Sequence, residues 1–219
     1  MIQLQSQDKP ITISKQALQR MPYYIQHLRT MHKNGIAIIA APALAAALGL
    51  NEVQVRKDLA AISTTKGKPK TGFNVDELIA NMEEFLGYNN IDEAILVGVG
   101  SLGRALMCYK GIAECGMNIV AAFDINEGLV GSQICGKYVF HMDELIEICK
   151  RLNVRIGIIT VPADQAQGVC DKMVESGILA IWNFAPSHLR TPENILVQNE
   201  NMAASLAMLS KHLGEKLTR

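Results

Sequence analysis

The segment EAILVGVGSLG, residues 93–103, constrains the fold more than any other stretch of the 219-residue chain. A short apolar run, residues 93–97, leads directly into Gly98, Gly100 and Gly103 in the pattern G-x-G-x-x-G. The sequence RALMCYKGIAECG, 104–116, follows with a helical pattern, and a second apolar run, NIVAAF, ends at Asp124, 21 residues past Gly103. Strand, glycine turn, helix, strand and acid at this distance form a dinucleotide-binding pattern. Gly98 permits a tight turn, Gly100 lets a pyrophosphate approach the backbone, and Gly103 lets the helix pack on the strand. Val99, Ser101 and Leu102 complete the loop, whose N–H groups open a helix N-terminus toward phosphate. Asp124 at the end of the second strand accepts ribose hydroxyls and repels a 2′-phosphate, with Ile125 beside it. The pattern therefore favours NAD(H) over NADP(H). A ligand-free glycine turn and a CoA-binding loop are the competing readings.

The rest of this region alternates apolar runs with helical segments. Strands are expected near 138–140, 155–161, 178–183 and 194–197, and helices at 142–151 and 163–176. Apolar runs separated by helices argue for α/β architecture with a Rossmann-like parallel sheet. Thr160-Val161-Pro162 and Asn183-Phe184-Ala185-Pro186 fall at strand C-terminal ends, where open α/β sheets bind ligands. They are expected to border the nicotinamide end of a bound dinucleotide. Met202, Leu206, Leu209 and Leu213 recur at steps of 4, 3 and 4 and predict a final amphipathic helix. That helix can cap its own sheet or pack on a partner subunit.

The neutral total charge conceals an asymmetry. Of 21 basic and 21 acidic residues, 10 and 3 fall in residues 1–75, leaving 11 and 18 for residues 76–219. A basic module joined to an acidic one points to a polyanion partner for the first alone. In that module Ser14 is a plausible N-cap, and Leu18, Met21, Ile25, Leu28 and Met31 form one apolar helix face, with Pro22 expected to kink or restart the helix and Gly35 to close it. APALAAAL predicts a short second helix ended by Gly49, and Asn51 can cap a third, NEVQVRKDLAAI. Its apolar positions Val53, Leu59 and Ile62 leave Gln54, Arg56, Lys57 and Asp58 as the polar side. Two short helices about a glycine turn match a helix-turn-helix that lays its second helix in a DNA major groove. Gln54 suits adenine, and Arg56 or Lys57 suits guanine or phosphate. The following STTKGKPKTGFN places Lys66, Lys68 and Lys70 among small residues, as a wing that contacts phosphate or a minor groove. Ser14 and Asn51, at helix starts, complete the candidate DNA-contacting set. The expected division is a winged-helix domain over 1–76, a dinucleotide-binding domain over 77–198 and a C-terminal helix over 199–219.

Other classes are disfavoured. No stretch approaches the apolar length of a membrane span, and the N-terminus carries no secretory pattern. The five cysteines, at 108, 115, 135, 149 and 170, have no metal-knuckle spacing and read as buried, reduced thiols of a cytoplasmic protein. No metal site is expected. Of five histidines only His188 lies near a ligand-binding turn, and it reads as a surface residue. With no evident proton donor, a dinucleotide sensor fits better than an oxidoreductase carrying an accessory nucleic-acid-binding domain.

Several segments together carry a family resemblance: QVRKDL (54–59), TGFNV (71–75), VGVGSLGRAL (97–106), Tyr109, AAFD (121–124), VPADQAQ (161–167) and NFAP (183–186) followed by Leu189. In this order and spacing they resemble the Rex family of redox-sensing transcriptional repressors. The resemblance implies a cytoplasmic, non-enzymatic homodimer whose C-terminal helices are swapped between subunits. It implies palindromic double-stranded operator DNA as partner, held by the free or NAD⁺-bound protein and released when NADH closes the dimer. It also implies Tyr109 and Met202 as neighbours of the cofactor. Two departures stand out. The wing carries three lysines in place of the usual glycine-arginine-rich segment. A charged pair that often links the first helix to the last falls on Gln26 and Asn201.

Overall fold

The computed structural model describes residues 13–63, 72–90 and 92–217. The chain divides into two compact units, Met1–Asn89 and Asn90–Arg219.

In the first unit, α1 (Lys15–Lys33) begins at Ser14, whose Oγ accepts the Ala17 N–H at 3.2 Å. The helix runs through Pro22 as one element, so it does not restart there. Met21, Ile25 and Leu28 are buried as the spacing implies, joined by Ala17 and Tyr24, whereas Leu18 is largely exposed. Gly35 follows with φ 76. Strand β1 (Ile38–Ile39) then leads into α2 (Ala41–Leu48), which ends at Gly49 with φ 64. Asn51 caps α3 (Glu52–Ile62) through its Oδ1, which accepts the N–H groups of Val53 and Gln54. Strand β2 (Phe73–Asn74) pairs antiparallel with β1, Ile38 opposite Asn74. A Cβ on Gly72 would lie 2.8 Å from both Ile38 Cγ2 and the Ile39 carbonyl, so only glycine lets this ribbon close. The expected wing lysines, Lys66, Lys68 and Lys70, lie outside the described residues. Helix α4 (Val75–Phe85) packs Val75, Leu78 and Met82 into the same core as α1 and α3. The first unit therefore extends past the end expected at residue 76, because α4 has its apolar face there.

Two expectations for α3 are overturned. Val53 is 61% exposed and Val55 is fully buried in its place. Asp58, expected on the polar side, is only 4% exposed. Val53 and Val55 point about 200° apart around a helix, and the buried face runs through Val55, Asp58, Leu59 and Ile62. The buried carboxylate is tolerable because it is fully engaged. Arg20 Nε and Nη2 donate to its two oxygens at 2.8 and 3.1 Å, the Tyr24 hydroxyl donates at 2.8 Å, and Gln54 Nε2 donates at 3.0 Å.

The second unit is a doubly wound sheet. Its strands are β3 (Asp92–Val97), β4 (Met117–Asp124), β5 (Gln133–Ile134), β6 (Lys137–His141), β7 (Ile156–Ile159), β8 (Ala180–Asn183) and β9 (Leu196–Asn199), in the order β5-β6-β4-β3-β7-β8-β9. All neighbours are parallel except the β5–β6 hairpin. Disregarding that hairpin strand, the order is that of a dinucleotide-binding sheet, reversing between β3 and β7. One face buries Ile95, Val97, Ala121 and Phe123 under α7 (Leu145–Leu152) and α8 (Ala163–Glu175). The other buries Ala94, Leu96, Ile119 and Ile158 with Met107 and Ile112 from α5 (Ser101–Cys108) and α6 (Lys110–Glu114). The single helix expected over 104–116 is thus two, broken where Tyr109 adopts an extended ψ of 108°. Helix α9 (Met202–Leu217) has no buried residue.

The cysteines depart from expectation as well. Cys149 and Cys170 are buried, but Cys115 is exposed, and Cys108 is bonded to Cys135.

The Asp58 cluster sets a pH dependence. Burial alone would raise the Asp58 pKa, but the hydrogen bonds from Arg20, Tyr24 and Gln54 outweigh it and hold the carboxyl below its ordinary value. A lowered folded-state pKa contributes stability above the unfolded value near 4, which is lost as pH falls through the folded one. Arg20→Ala is expected to destabilise the first unit by about 3 kcal/mol at pH 7, because it strands a buried charge. The penalty should shrink toward pH 3, as followed by denaturant unfolding with circular dichroism; a penalty independent of pH would contradict this role for Asp58.

Candidate functional site

The reversal between β3 and β7 leaves a crevice at the C-terminal ends of the two strands, and the glycine loop sits there. Gly98 has φ 99, and its N–H donates to the Phe123 carbonyl at 2.9 Å. A Cβ at Gly98 would lie 2.8 Å from Val161 Cγ1 and 2.9 Å from the Thr160 carbonyl carbon. A Cβ at Gly103 would run into the Gly98 carbonyl. Thr160 ties the turn to β7, donating its hydroxyl to the carbonyls of Val97 and Gly98 at 3.0 and 2.7 Å. Around Gly100 the opposite holds: nothing lies within 4 Å of an added Cβ. Of the three glycines, two are spent on packing and the middle one faces open space, as an approaching phosphate requires.

Asp124 closes the site at the end of β4. Its Oδ2 accepts the Val99 N–H at 2.6 Å and its Oδ1 the Asn126 N–H at 2.9 Å. The carboxylate is therefore fixed against the glycine loop, and each oxygen keeps a further lone pair for a hydroxyl donor. Gly98, Gly100, Asp124, Ile125, Thr160, Val161 and Pro162 line one cavity of about 260 Å³, with Met142 and Gln165 among the residues completing it. Val99, Ser101, Leu102 and Gly103 form the loop and the first turn of α5. Met142 and Gln165 escaped the sequence reading. Gln165 lies inside the quoted segment VPADQAQ, one turn into α8.

The other expected contacts lie elsewhere in the second unit. Asn183 is fully buried and its carboxamide is committed: Nδ2 donates to the Ser187 carbonyl at 2.9 Å and to Asn199 Oδ1 at 2.8 Å, while Oδ1 accepts the Ala185 N–H at 3.0 Å. It shapes the 183–186 turn from within. Phe184 packs against Trp182 in a tilted contact, ring centroids 4.7 Å apart, Ala185 is buried, and Pro186 lies at a small cleft with His188. Tyr109 is 65% exposed and lies over Gly111, where a Cβ would come within 2.5 Å of its ring. It borders a separate, largely apolar groove of about 430 Å³, formed with Ile112, Met117, Ile156, Trp182 and Leu196. Met202 opens α9 and is exposed. Asn201 caps that helix, its Oδ1 accepting the Ala204 N–H at 2.9 Å.

In the first unit, Arg56 and Lys57 are exposed on α3, as are Asn51 and Gln54. Arg56 pairs with Glu52 one turn earlier. Gln54 is tethered to Asp58, and Ser14 stands at the start of α1 rather than on α3. Among the described residues no group of three His, Cys, Asp or Glu could hold a metal, and no helix is long and apolar enough to cross a membrane.

Residues 89–187 match the family described as "CoA binding domain", and residues 12–60 that described as "Putative DNA-binding protein N-terminus". The chain is 37% identical over 211 residues to a redox-sensing transcriptional repressor Rex of Bacteroides fragilis, covering 96% of this chain and 95% of that one. The chain belongs to the Rex family. A second redox-sensing repressor Rex, from Porphyromonas gingivalis, is 38% identical, with 90% of each chain covered. Among solved structures, the Rex-family repressor RSP in complex with β-NAD⁺ and operator DNA matches with a TM-score of 0.86 at 32% identity, covering 94% of this chain and 95% of that one. RSP in complex with β-NADH matches with a TM-score of 0.81, also at 32% identity. Membership in a family of repressors, not enzymes, accords with a second unit that offers a nucleotide crevice and an exposed His188.

The glycines give a stability test. Gly103→Ala is expected to cost about 2 kcal/mol through overpacking against the Gly98 carbonyl, whereas Gly100→Ala should change stability by no more than about 0.5 kcal/mol. Thermal unfolding of the two variants reads the contrast, and equal losses would contradict the packing described.

Proposed function

We propose that this Rex-family repressor binds a palindromic double-stranded operator through α3 and the lysine-bearing segment at 66–70, and lets go when NADH occupies the crevice of the second unit. The observation that carries the reading is Asp124, pinned by the Val99 and Asn126 amides beside an open Gly100. In this reading Gly98–Gly103 bind the pyrophosphate, Asp124 takes the adenosine ribose, and Thr160–Pro162 border the path to the nicotinamide. The 183–186 turn, Tyr109 and a partner subunit's α9, with Met202 at its start, lie toward the nicotinamide end. NADH and NAD⁺ both bind. The reduced ring is neutral and the oxidised ring cationic, so an apolar nicotinamide pocket favours NADH.

A second copy of the chain completes the molecule. A doubly wound sheet needs both faces covered, yet the groove over Ile156, Trp182 and Leu196 is bare. Met202, Leu206, Leu209, Leu213 and Leu217 of α9 are each at least 55% exposed. An apolar helix without a floor and an apolar floor without a helix are complementary across a twofold axis, which supports a homodimer with exchanged C-terminal helices. A two-fold dimer reads two half-sites, hence the palindrome. The intervals 1–76, 77–198 and 199–219 keep their roles as DNA-binding, nucleotide-binding and dimerising segments, with α4 structurally part of the first. The protein acts in the cytoplasm, where its operator and the nicotinamide pool reside.

Titration calorimetry on the full-length protein tests the nucleotide. NADH is expected to bind at least tenfold more tightly than NAD⁺, and Asp124→Ala to weaken both by about tenfold or more, equivalent to about 1.4 kcal/mol. Equal affinities would end the redox-sensing reading; displacement by CoA with indifference to Asp124→Ala would favour a CoA-binding module.

Fluorescence anisotropy on candidate palindromes tests the DNA. Arg56→Ala and Lys57→Ala should each weaken specific binding by about 1–3 kcal/mol while leaving NADH affinity unchanged. NADH should release the duplex where NAD⁺ does not. Leu209→Asp in α9 should shift the protein toward monomer in sedimentation; an unaltered dimer would refute the exchanged helix.

A further inference from the structure

Two exposed cysteines, distant in the chain, meet at the edge of the second unit. Cys108 ends α5, and Cys135 occupies the tight turn between β5 and β6. They are joined sulfur to sulfur, with Cα atoms 5.5 Å apart, in the middle of the span a disulfide bridges. The approach does not depend on the sulfurs alone. Lys137, two residues after Cys135, donates its Nζ to the carbonyl of Met107, the residue before Cys108, at 2.8 Å. Cys135 and Gly136 both have positive φ, 48 and 77, which fits a two-residue hairpin turn. Helix end and turn are therefore held together by hydrogen bonding, and the reduced thiols stay within reach of each other.

The other cysteines lack this combination. Cys149 and Cys170 are buried, and burial pushes the Cys170 thiol up to about 11. Cys115 is exposed but has no bonded partner. A permanent staple is not needed either, since both faces of this sheet carry an extensive apolar core. Exposed disulfides are the ones that reductants reach, and such bonds are characteristically regulatory.

We propose that Cys108 and Cys135 form a reversible thiol–disulfide pair oxidised by peroxides, a redox input separate from the nucleotide crevice. One thiolate attacks a peroxide oxygen, the O–O bond breaks, and a sulfenic acid forms as hydroxide leaves and becomes water with the proton of the first thiol. The second thiolate attacks the sulfenic sulfur, the S–O bond breaks, and the hydroxide leaves as water with the proton of the second thiol. Two thiols thus lose two electrons and two protons, and hydrogen peroxide becomes two waters. A dithiol reductant reverses the bond by exchange. Oxidation ties the end of α5 to the hairpin, one residue before Tyr109 and the apolar groove. The bond itself does not depend on the repressor reading.

The full-length protein, reduced and freed of reductant, is treated with hydrogen peroxide at low molar excess, alkylated and weighed intact, and its peptides are mapped. Two of the five thiols should become unreactive with loss of the mass of two hydrogens. A single peptide pair should link Cys108 to Cys135 within one chain, and dithiothreitol should restore both thiols in the folded protein. Cys108→Ser and Cys135→Ser should each abolish the link while keeping the parent circular dichroism spectrum, and Cys115→Ser should retain it. The proposal fails if both cysteines stay alkylatable after peroxide. It fails equally if the link runs to Cys115 or between chains, or if the bond survives dithiothreitol in the native protein as a permanent staple. None of these readouts uses NADH or DNA, so failure here leaves the repressor reading standing, and the reverse.

Discussion

The second unit depends on one close approach: the Gly98 carbonyl occupies the space where any other residue at 103 would carry its Cβ. Because no side chain intervenes, α5 starts directly over the end of β3 and its first N–H groups face the crevice. Thr160 reaches the same carbonyl from β7, so the two strands that flank the sheet's reversal are joined at the turn that opens the site. Asp124 adds the third strand by accepting the Val99 amide. Three strand ends and one helix start converge on a few atoms of backbone, and the crevice is as rigid as that convergence.

In the first unit the equivalent device is polar. Asp58 is a carboxylate inside an apolar cluster, and it links α3 to α1 through Arg20 and Tyr24. Burial pushes the Tyr24 hydroxyl up to about 12, with the Asp58 hydrogen bond adding to the effect, so it stays a donor at any physiological pH. Such a cluster contributes little net stability compared with apolar packing, but its directionality fixes the rotation of α3 about its axis. Rotation decides which residues face outward. Arg56 and Lys57 are presented to solvent because Asp58 is not.

The glycine pattern and the acid after it were legible in the sequence because each residue answers a local steric or charge requirement that spacing alone expresses. The capping residues Ser14 and Asn51 were legible for the same reason. Most of the failures share a cause, partners distant in the chain; the break at Tyr109 is local. The spacing of α3 admits Val53 or Val55 inward with little to choose, and it is donors on α1, Arg20 and Tyr24, 38 and 34 residues away, that make an inward Asp58 acceptable. The break at Tyr109 follows from its ring packing over Gly111, which a smooth helical pattern conceals. The Cys108–Cys135 bond joins positions 27 apart through the β5–β6 hairpin, whose short strands carry too few residues to show alternation. The first compact unit reaches residue 89 and includes α4, whose apolar stripe would look the same in the sequence whichever core it served.

How such a chain distinguishes NADH from NAD⁺ follows from which parts of the site touch what the two share. On the proposed reading Asp124 and the glycine loop would address the adenosine ribose and pyrophosphate, identical in both, and so would raise affinity without discriminating. The difference is a hydride and a ring charge, and it has to be read at the nicotinamide end. On that reading the 183–186 turn would do so by what it lacks: Asn183 spends its amide internally, Ala185 is buried, Phe184 packs tilted against Trp182, and no ionisable group lies among the four. Glu200, whose carboxylate accepts from Trp182 Nε1 at 3.0 Å, is the one acid beside the turn, and on the proposed reading a cationic ring enclosed among the four would lose hydration that a neutral ring would not. Only the state that encloses the ring feels this penalty. An open arrangement leaves either ring in water and binds both forms alike, so NADH shifts the population toward closure and NAD⁺ does not. On the proposed reading the apolar groove beside Tyr109 and the exposed face of α9 would be the surfaces by which closure involves a second subunit. A difference of about 1–3 kcal/mol between the two ligands, the ordinary size of an allosteric coupling, then suffices to move the protein off its operator.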